Sequence, residues 1–99
     1  MKVTNITSNN GNKIANQFVI TDDKQNEYFQ SYNSMIVKKD YENDQVKIYL
    51  DKKYWNFSNT TGKYRNIFLN ETIKDTKAKI KSGEYILTDL NKCEDINEK

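Results

Sequence analysis

The residues YWNFSNTTGKYRNIFL, at positions 54–69, mark the point where a strand-like sequence becomes helical. Positions 58–61 hold Ser, Asn, Thr and Thr, whose side-chain oxygens accept hydrogen bonds from the free N–H groups of a first helical turn. Tyr64, Ile67 and Phe68 follow at the i, i+3 and i+4 spacing that gives a helix one apolar face. The stretch therefore predicts a helix that begins near its middle.

A second short helix is predicted directly after the first. Asn70 or Thr72 can cap it, and Thr72 with Asp75 resembles a capping box that has Asp in place of the preferred Glu. This helix would run to about Lys81, because Gly83 is well placed as the left-handed residue that ends a helix.

Outside these helices, the sequence is typical of short strands separated by polar turns. Apolar and polar residues alternate with period two, and the predicted strands are residues 2–7, 13–21, 28–32, 35–39, 46–50 and 84–90. Residues 32–34 either bend the chain or continue one strand into the next. We therefore expect an α+β domain over residues 1–91, with a four- to five-stranded, mainly antiparallel sheet and two short helices before the last strand. Residues 92–99 form a polar tail that we expect to be disordered.

The composition lacks the residue types on which most catalytic and metal sites depend. The 99-residue chain has no His and a single Cys, which excludes His-based acid–base catalysis and a thiolate zinc site. Its three glycines are too far apart to form a phosphate-binding loop. Most carboxylates lie in predicted turns or in the tail, where solvated caps are their usual role. We therefore expect no enzymatic activity, no cofactor and no metal.

The sequence also predicts where the protein works. No apolar run approaches the ~20 residues needed to span a bilayer, and the N-terminus has no apolar signal region. The lone Cys93 fits a reducing compartment. We expect a cytoplasmic protein without a membrane partner.

The cations are concentrated in one part of the chain. The net charge is only +2, but residues 52–81 carry eight cations and two anions, whereas residues 82–99 carry two cations and five anions. One interpretation is a solvated helix face, whose lysines favour the helix dipole. The other is a docking face for phosphates or for an acidic protein surface. The sequence leaves both interpretations open.

Basic and aromatic side chains alternate on both sides of the predicted helix start. We expect Trp55 and Phe57 to fill the core beneath the helices, together with the apolar face of the first helix. Lys63 and Arg65 follow Gly62 at the helix start, where free N–H groups attract anions. The predicted partner-binding residues, on the solvent side of this packed region, are Lys52, Lys53, Tyr54, Lys63 and Arg65.

One motif carries a resemblance to other proteins. Aromatic-Ser-x-Thr-Thr-x-Lys-aromatic occupies residues 57–64 and is followed by Phe68-Leu69. Together with Tyr32-Asn33-Ser34, the apolar strand at 35–37 and Trp55, it resembles a family of small uncharacterised proteins carried by phages and plasmids of low-GC bacteria. The resemblance implies a mobile-element protein in the bacterial host cytoplasm. Small mobile-element proteins often act by binding, and some block host defence enzymes, as anti-CRISPR proteins do.

These observations lead to three hypotheses about function. The first is a non-enzymatic binding protein that inhibits or modulates a host nucleic-acid machine, with a bacterial protein or nucleoprotein complex as its partner. The alternative is a DNA- or RNA-binding accessory or regulatory protein of a phage or plasmid. The third is a structural role as a homo-oligomer joined through an exposed strand edge. The sequence fixes neither the oligomeric state nor the strand order.

Overall fold

The computed structural model describes residues 1–8, 10–41 and 45–91. In chain order the elements are β1 (Lys2–Thr7), β2 (Lys13–Thr21), β3 (Glu27–Ser31), β4 (Ser34–Asp40), β5 (Lys47–Asp51), α1 (Asn59–Leu69), α2 (Ile73–Ser82) and β6 (Tyr85–Thr88). The predicted α+β class, with two helices before the last strand, is confirmed. The predicted count of four to five strands is wrong, because the described residues form six. The predicted tail at 92–99, with its cysteine, lies outside the described residues.

The strands lie in the sheet in the order in which they occur in the chain. Each of the strands from β1 to β5 pairs with the next strand along the chain, and these four pairs are antiparallel. The last pair, β5 and β6, is parallel. Parallel neighbours need a long crossover connection, and α1 and α2 together provide it. The sheet is therefore mixed, although most of its pairs are antiparallel as predicted.

A β-bulge shapes the middle of the sheet. Phe29 pairs with Val37 and Gln30 pairs with Met35, which leaves Ile36 as an extra residue in β4. Side chains of consecutive strand residues normally point to opposite faces, but a bulge breaks this alternation. As a result, Ile36 and Val37 are both buried.

The core lies between the sheet and the two helices. Phe29, Val37 and Leu50 are paired across three adjacent strands and are fully buried. Phe68 of α1 stacks on Phe29, with 5.9 Å between the ring centroids. Further partly buried side chains pack against this cluster, among them Trp55, Tyr64, Leu69 and Ile80. The predicted core positions of Trp55, Tyr64 and Phe68 are therefore confirmed.

Two residues that were predicted to lie in the core are exposed. Phe57 is 68% exposed and Ile67 is 55% exposed. Phe57 belongs to the turn between β5 and α1, so the strand-like alternation that placed it beside Trp55 does not exist there. Ile67 precedes Phe68 on α1, and its 100° rotation from that neighbour turns it away from the sheet.

The helix ends follow the local signals in the sequence. Ser58 is the N-cap of α1, and Thr72 and Asp75 form the predicted capping box of α2. Gly83 ends α2 with φ of 89°, as predicted. Asn70 is the left-handed C-cap of α1, which leaves Thr72 as the N-cap of α2. Neither helix in the described ranges has the length and hydropathy of a membrane-spanning segment.

A buried carboxylate joins the end of α1 to α2 and β6. Glu71 accepts hydrogen bonds from Lys79 Nζ at 2.8 Å, from Tyr85 Oη at 2.8 Å and from Thr76 Oγ1. Burial alone would raise the pKa of Glu71, but these hydrogen bonds outweigh burial and lower it. Burial and the same carboxylate raise the pKa of Tyr85 to about 12. We call these four residues the Glu71 cluster.

Candidate functional site

The turn between β5 and α1 is positioned by a buried aspartate. Asp51 Oδ2 accepts hydrogen bonds from the backbone N–H groups of Lys53 and Tyr54, at 3.1 and 2.8 Å. Asp51 Oδ1 accepts from Leu90 N at 2.9 Å and from Asn91 Nδ2 at 3.1 Å. A single side chain therefore joins the turn to the segment that follows β6.

Three of the predicted cations lie on the surface. Lys52 and Lys53 are exposed in the turn, and Lys63 is exposed on the first part of α1. Lys53 Nζ lies 5.3 Å from the centroid of the Tyr54 ring, and Lys63 Nζ lies 5.4 Å from that of Tyr64. These distances are in the range of cation–π contacts. Tyr54 was predicted to lie on the solvent side, but it is half-buried and packs against the core.

Arg65 was also predicted to lie on the solvent side, and this prediction is wrong. Its side chain is 1% exposed. Helical side chains lean toward the N-terminus of their helix, so the guanidinium reaches back beneath the first turn of α1. Nη1 donates to Trp55 O at 2.8 Å and to Asn56 Oδ1 at 3.1 Å, and Nη2 donates to Asn66 Oδ1 at 2.9 Å. The guanidinium carbon lies 5.4 Å from the Trp55 ring.

The partners of Arg65 are all neutral. Among the described residues, no carboxylate lies within ion-pair distance of its guanidinium. Burial lowers the pKa of Arg65, and the more distant charge of Glu71 acts in the opposite direction. The fold therefore buries a cation without a paired anion, which is an uncommon and costly arrangement.

An apolar depression, the aromatic slot, lies on one side of the turn. It has a volume of about 140 Å³ and is lined by Ser31, Tyr32, Ser34, Ile36, Tyr54, Phe57, Ser58 and Thr61. Tyr32 and Phe57 stand at the surface, 52% and 68% exposed. Phe57 meets Tyr54 edge-to-face at 5.4 Å between centroids. The bulged residue Ile36 contributes buried apolar surface.

A second depression, the basic hollow, is lined mainly by polar residues and shares Ser58 with the aromatic slot. It has a volume of about 440 Å³ and is lined by Asn56, Ser58, Asn59, Gly62, Lys63, Arg65, Asn66 and Ile73. The structure thus divides the predicted site residues. Lys63 and Arg65 share the basic hollow, whereas Tyr54 lines the aromatic slot and stands beside Lys53.

The sequence interpretation missed three residues that shape this region. Phe57 was assigned to the core, Tyr32 was considered only as part of the possible bend at residues 32–34, and Asp51 was not considered. A signal for Tyr32 existed, because Tyr-Asn-Ser between two strands can form a tight turn, and Tyr32 adopts φ of 57° there. No sequence signal separates Asp51 from the other turn carboxylates. Among the described residues, no three Cys, Asp or Glu side chains converge as metal ligands.

Comparison with known proteins gives one match. A family of unknown function, DUF8033, matches residues 1–86 of the chain. No curated protein and no solved structure matches. The matched region contains both depressions and every element up to the start of β6. The chain therefore belongs to the DUF8033 family, whose function is unknown.

Proposed function

We propose that this protein is a non-enzymatic binding protein that docks on an acidic surface of a protein partner through the aromatic slot. The partner would be a component of a bacterial nucleic-acid machine, which the protein inhibits or modulates. The observation that carries the proposal is the pair of exposed aromatic rings, Tyr32 and Phe57, that line an apolar depression.

Exposed aromatic rings beside a depression are typical of protein interfaces. Aromatic side chains dominate interface energetics when a partner covers them, because they bury a large area and lose little conformational entropy. Phe57 has no such cover in the isolated chain. The slot itself has room for one apolar side chain of the partner, which would contact Tyr54 and Ile36.

The lysines near the slot favour an acidic partner. Lys52 and Lys53 are exposed in the turn that leads to Tyr54, and Lys53 Nζ lies 5.3 Å from the centroid of the Tyr54 ring, which lines the slot. Charges near an interface contribute more to association rate and orientation than to affinity. Apolar anchors with a cation beside them therefore support a protein partner whose contact surface is acidic and carries an apolar side chain.

The bacterial setting rests on the resemblance of the motif at residues 57–64 to mobile-element proteins. The motif begins at Phe57, so it includes one of the two exposed rings. Inhibition or modulation of a host machine is the role that this context supports for a small chain without a catalytic constellation.

Direct binding of DNA or RNA remains the second candidate. Lys53 beside the Tyr54 ring, with Phe57 exposed nearby, could provide a stacking platform for single-stranded bases. The burial of Arg65, the only Arg in the chain, argues against it. Arginines that read base edges in a groove are exposed, whereas Arg65 is buried beneath the basic hollow and cannot reach a base.

Photo-crosslinking in a low-GC bacterium tests the proposal. A photoreactive phenylalanine analogue replaces Phe57 in one variant and Val3, which is also exposed but lies on β1, in the control. We expect one bacterial protein to form a crosslink with the variant labelled at position 57 and not with the variant labelled at position 3. This crosslink should be lost when Lys53→Glu is added. Recovery of the same proteins from both positions would contradict docking at the slot.

The nucleic-acid alternative has its own measurement. Fluorescence anisotropy with single- and double-stranded DNA and RNA at low salt should show no saturable binding. Binding that weakens steeply with salt, and that is lost in Lys53→Glu, would favour the alternative.

A further inference from the structure

The basic hollow contains a feature that docking at the aromatic slot does not explain. Arg65 lines the hollow although its side chain is almost wholly buried. Buried charges in proteins are usually paired with an opposite charge, and this one has only amide and carbonyl partners among the described residues. The negative charge of Glu71 acts on the pKa of Arg65, but this carboxylate is already hydrogen-bonded within the Glu71 cluster.

The guanidinium also retains unused hydrogen-bonding capacity. A guanidinium has five N–H donors, and the described contacts of Arg65 are three hydrogen bonds from Nη1 and Nη2. Its Nε is buried and has no hydrogen-bond partner in the described part of the chain. The side chain is therefore held in a fixed position without being saturated.

Gly62 lies directly against the guanidinium. A Cβ at position 62 would lie 3.7 Å from Nη1 and from Nη2 of Arg65, which is ordinary contact and not a clash. The fold therefore does not require glycine here, although glycine inside a helix is less stable than alanine. Without a methyl group, the position beside Nη1 and Nη2 in the lining of the hollow stays unfilled.

Two neighbouring features add positive potential to the same space. Lys63 is exposed and lines the hollow. The first turn of α1 begins at Asn59, which also lines the hollow, and the first N–H groups of a helix lack intrahelical acceptors. No carboxylate is among the lining residues.

We propose that the basic hollow is an oxyanion-binding site, which accepts one phosphate or carboxylate group over Gly62 and supplies Arg65 with its missing counter-charge. Lys63 and the start of α1 contribute the secondary contacts. The proposal stands whether or not the aromatic slot docks a protein.

The test is an NMR titration of the full chain with sodium phosphate and with sodium acetate, each compared with sodium chloride at equal ionic strength. We expect saturable shifts at the Gly62 and Lys63 amides and at Arg65 Nε–H with an oxyanion, and none with chloride. Saturation by phosphate alone identifies a phosphate site, and saturation by acetate alone identifies a carboxylate site. Equal responses to all three salts would overturn the proposal.

Gly62→Ala is the decisive variant, because it should place a methyl group between an oxyanion and the guanidinium without harming the fold. We expect a higher melting temperature than that of the unmodified chain, together with oxyanion binding that is weaker by about tenfold or more. Unchanged binding in Gly62→Ala would contradict the proposal.

Two exposed lysines provide a test that does not depend on the packing at Gly62. Lys63→Gln should weaken binding by about threefold, and the matched control Lys77→Gln, on α2 and outside the hollow, should leave it unchanged. Equal losses in both lysine variants would mean nonspecific screening of charge and would also contradict the proposal.

Discussion

The two ends of α1 each bury a charged side chain, but they treat it in opposite ways. At the C-terminal end, Glu71 is bonded to Lys79, Thr76 and Tyr85, so its charge is neutralised and its oxygens are occupied. At the N-terminal end, the guanidinium of Arg65, which reaches back from the second half of the helix, is held by neutral groups, and its Nε has no partner among the described residues. A satisfied cluster stabilises the fold, whereas an unsatisfied one leaves binding capacity for another molecule.

Two aromatic residues repeat this contrast. Phe68 stacks on Phe29 in the core near the C-terminal end of α1. Phe57, just before the N-terminal end, is mostly exposed. The same residue type therefore stabilises the fold at one end of the helix and presents an apolar surface at the other. We accordingly expect substitutions at the C-terminal end to affect stability and substitutions at the N-terminal end to affect binding.

Among the substitutions of polar residues, the largest loss of stability is expected from Glu71→Ala. It leaves Lys79 and the buried Tyr85 hydroxyl without their acceptor, which should lower the free energy of unfolding by about 2–3 kcal/mol. The partial exposure of Lys79 keeps the loss below that of a fully buried pair. Urea denaturation measures the change. The control is Glu84→Ala, at an exposed position directly before β6. A loss equal to that of the control would remove the Glu71 cluster as a stabilising centre.

A loss of about 2 kcal/mol is expected from Asp51→Asn. The amide keeps one acceptor oxygen and replaces the other with a donor, so two of the four N–H groups bonded to Asp51 lose their acceptor. Urea denaturation measures the global change, and hydrogen exchange at the Lys53 and Tyr54 amides measures the local one. Exchange that stays slow at the Leu90 amide as well as at the Lys53 and Tyr54 amides would show that this region does not depend on Asp51.

A smaller effect is expected from acid. The pKa of Glu71 is lowered from its ordinary value of 4.5, so the carboxylate stabilises the folded state above that pH. This stabilisation is lost as the pH falls through the lower pKa of the folded state. The difference in unfolding free energy between the unmodified chain and Glu71→Gln should therefore be largest near neutral pH and should shrink below pH 4.5. A difference that does not change with pH would contradict the assignment.

The smallest effect on stability is expected from Phe57→Ala. Because the ring is mostly exposed, the free energy of unfolding should change by less than about 0.5 kcal/mol. Phe29→Ala, in the core, should cost about 3–5 kcal/mol in the same experiment. If Phe57→Ala destabilises the chain by more than about 1 kcal/mol, its ring is part of the core and the proposed docking surface is lost.

The sequence allowed most of the local structure to be predicted. Ser58, the Thr72–Asp75 capping box and Gly83 place the helix ends, because each acts through hydrogen bonds or backbone angles within a few residues. The strands could be located because the alternation of apolar and polar residues is also a local pattern. The predicted number of strands was too low because residues 32–34 were left as either a bend or a continuation of one strand. The turn there depends on Tyr32 adopting a left-handed conformation.

The candidate site was less predictable, because burial is a property of distant contacts. Lys52, Lys53 and Lys63 were placed correctly on the surface, since long cationic side chains are rarely buried. The same rule failed for Arg65, whose burial depends on the carbonyl of Trp55 and the amide of Asn56 folding back beneath α1. The prediction for Phe57 was wrong in the opposite sense, since the ring is exposed and not buried. Its apolar character does not show which side of the turn it faces.

The sequence by itself determined the elements, their caps and the concentration of cations in residues 52–81, since these depend on neighbouring residues and on composition. Only the tertiary structure decided that β5 and β6 pair in parallel. It alone also placed an aromatic slot and a basic hollow beside the turn between β5 and α1. It also decided that Arg65, the single arginine, is buried and that Phe57 is mostly exposed. The physical reason is that exposure and charge pairing are set by which distant segments pack together, and a local pattern does not contain that information.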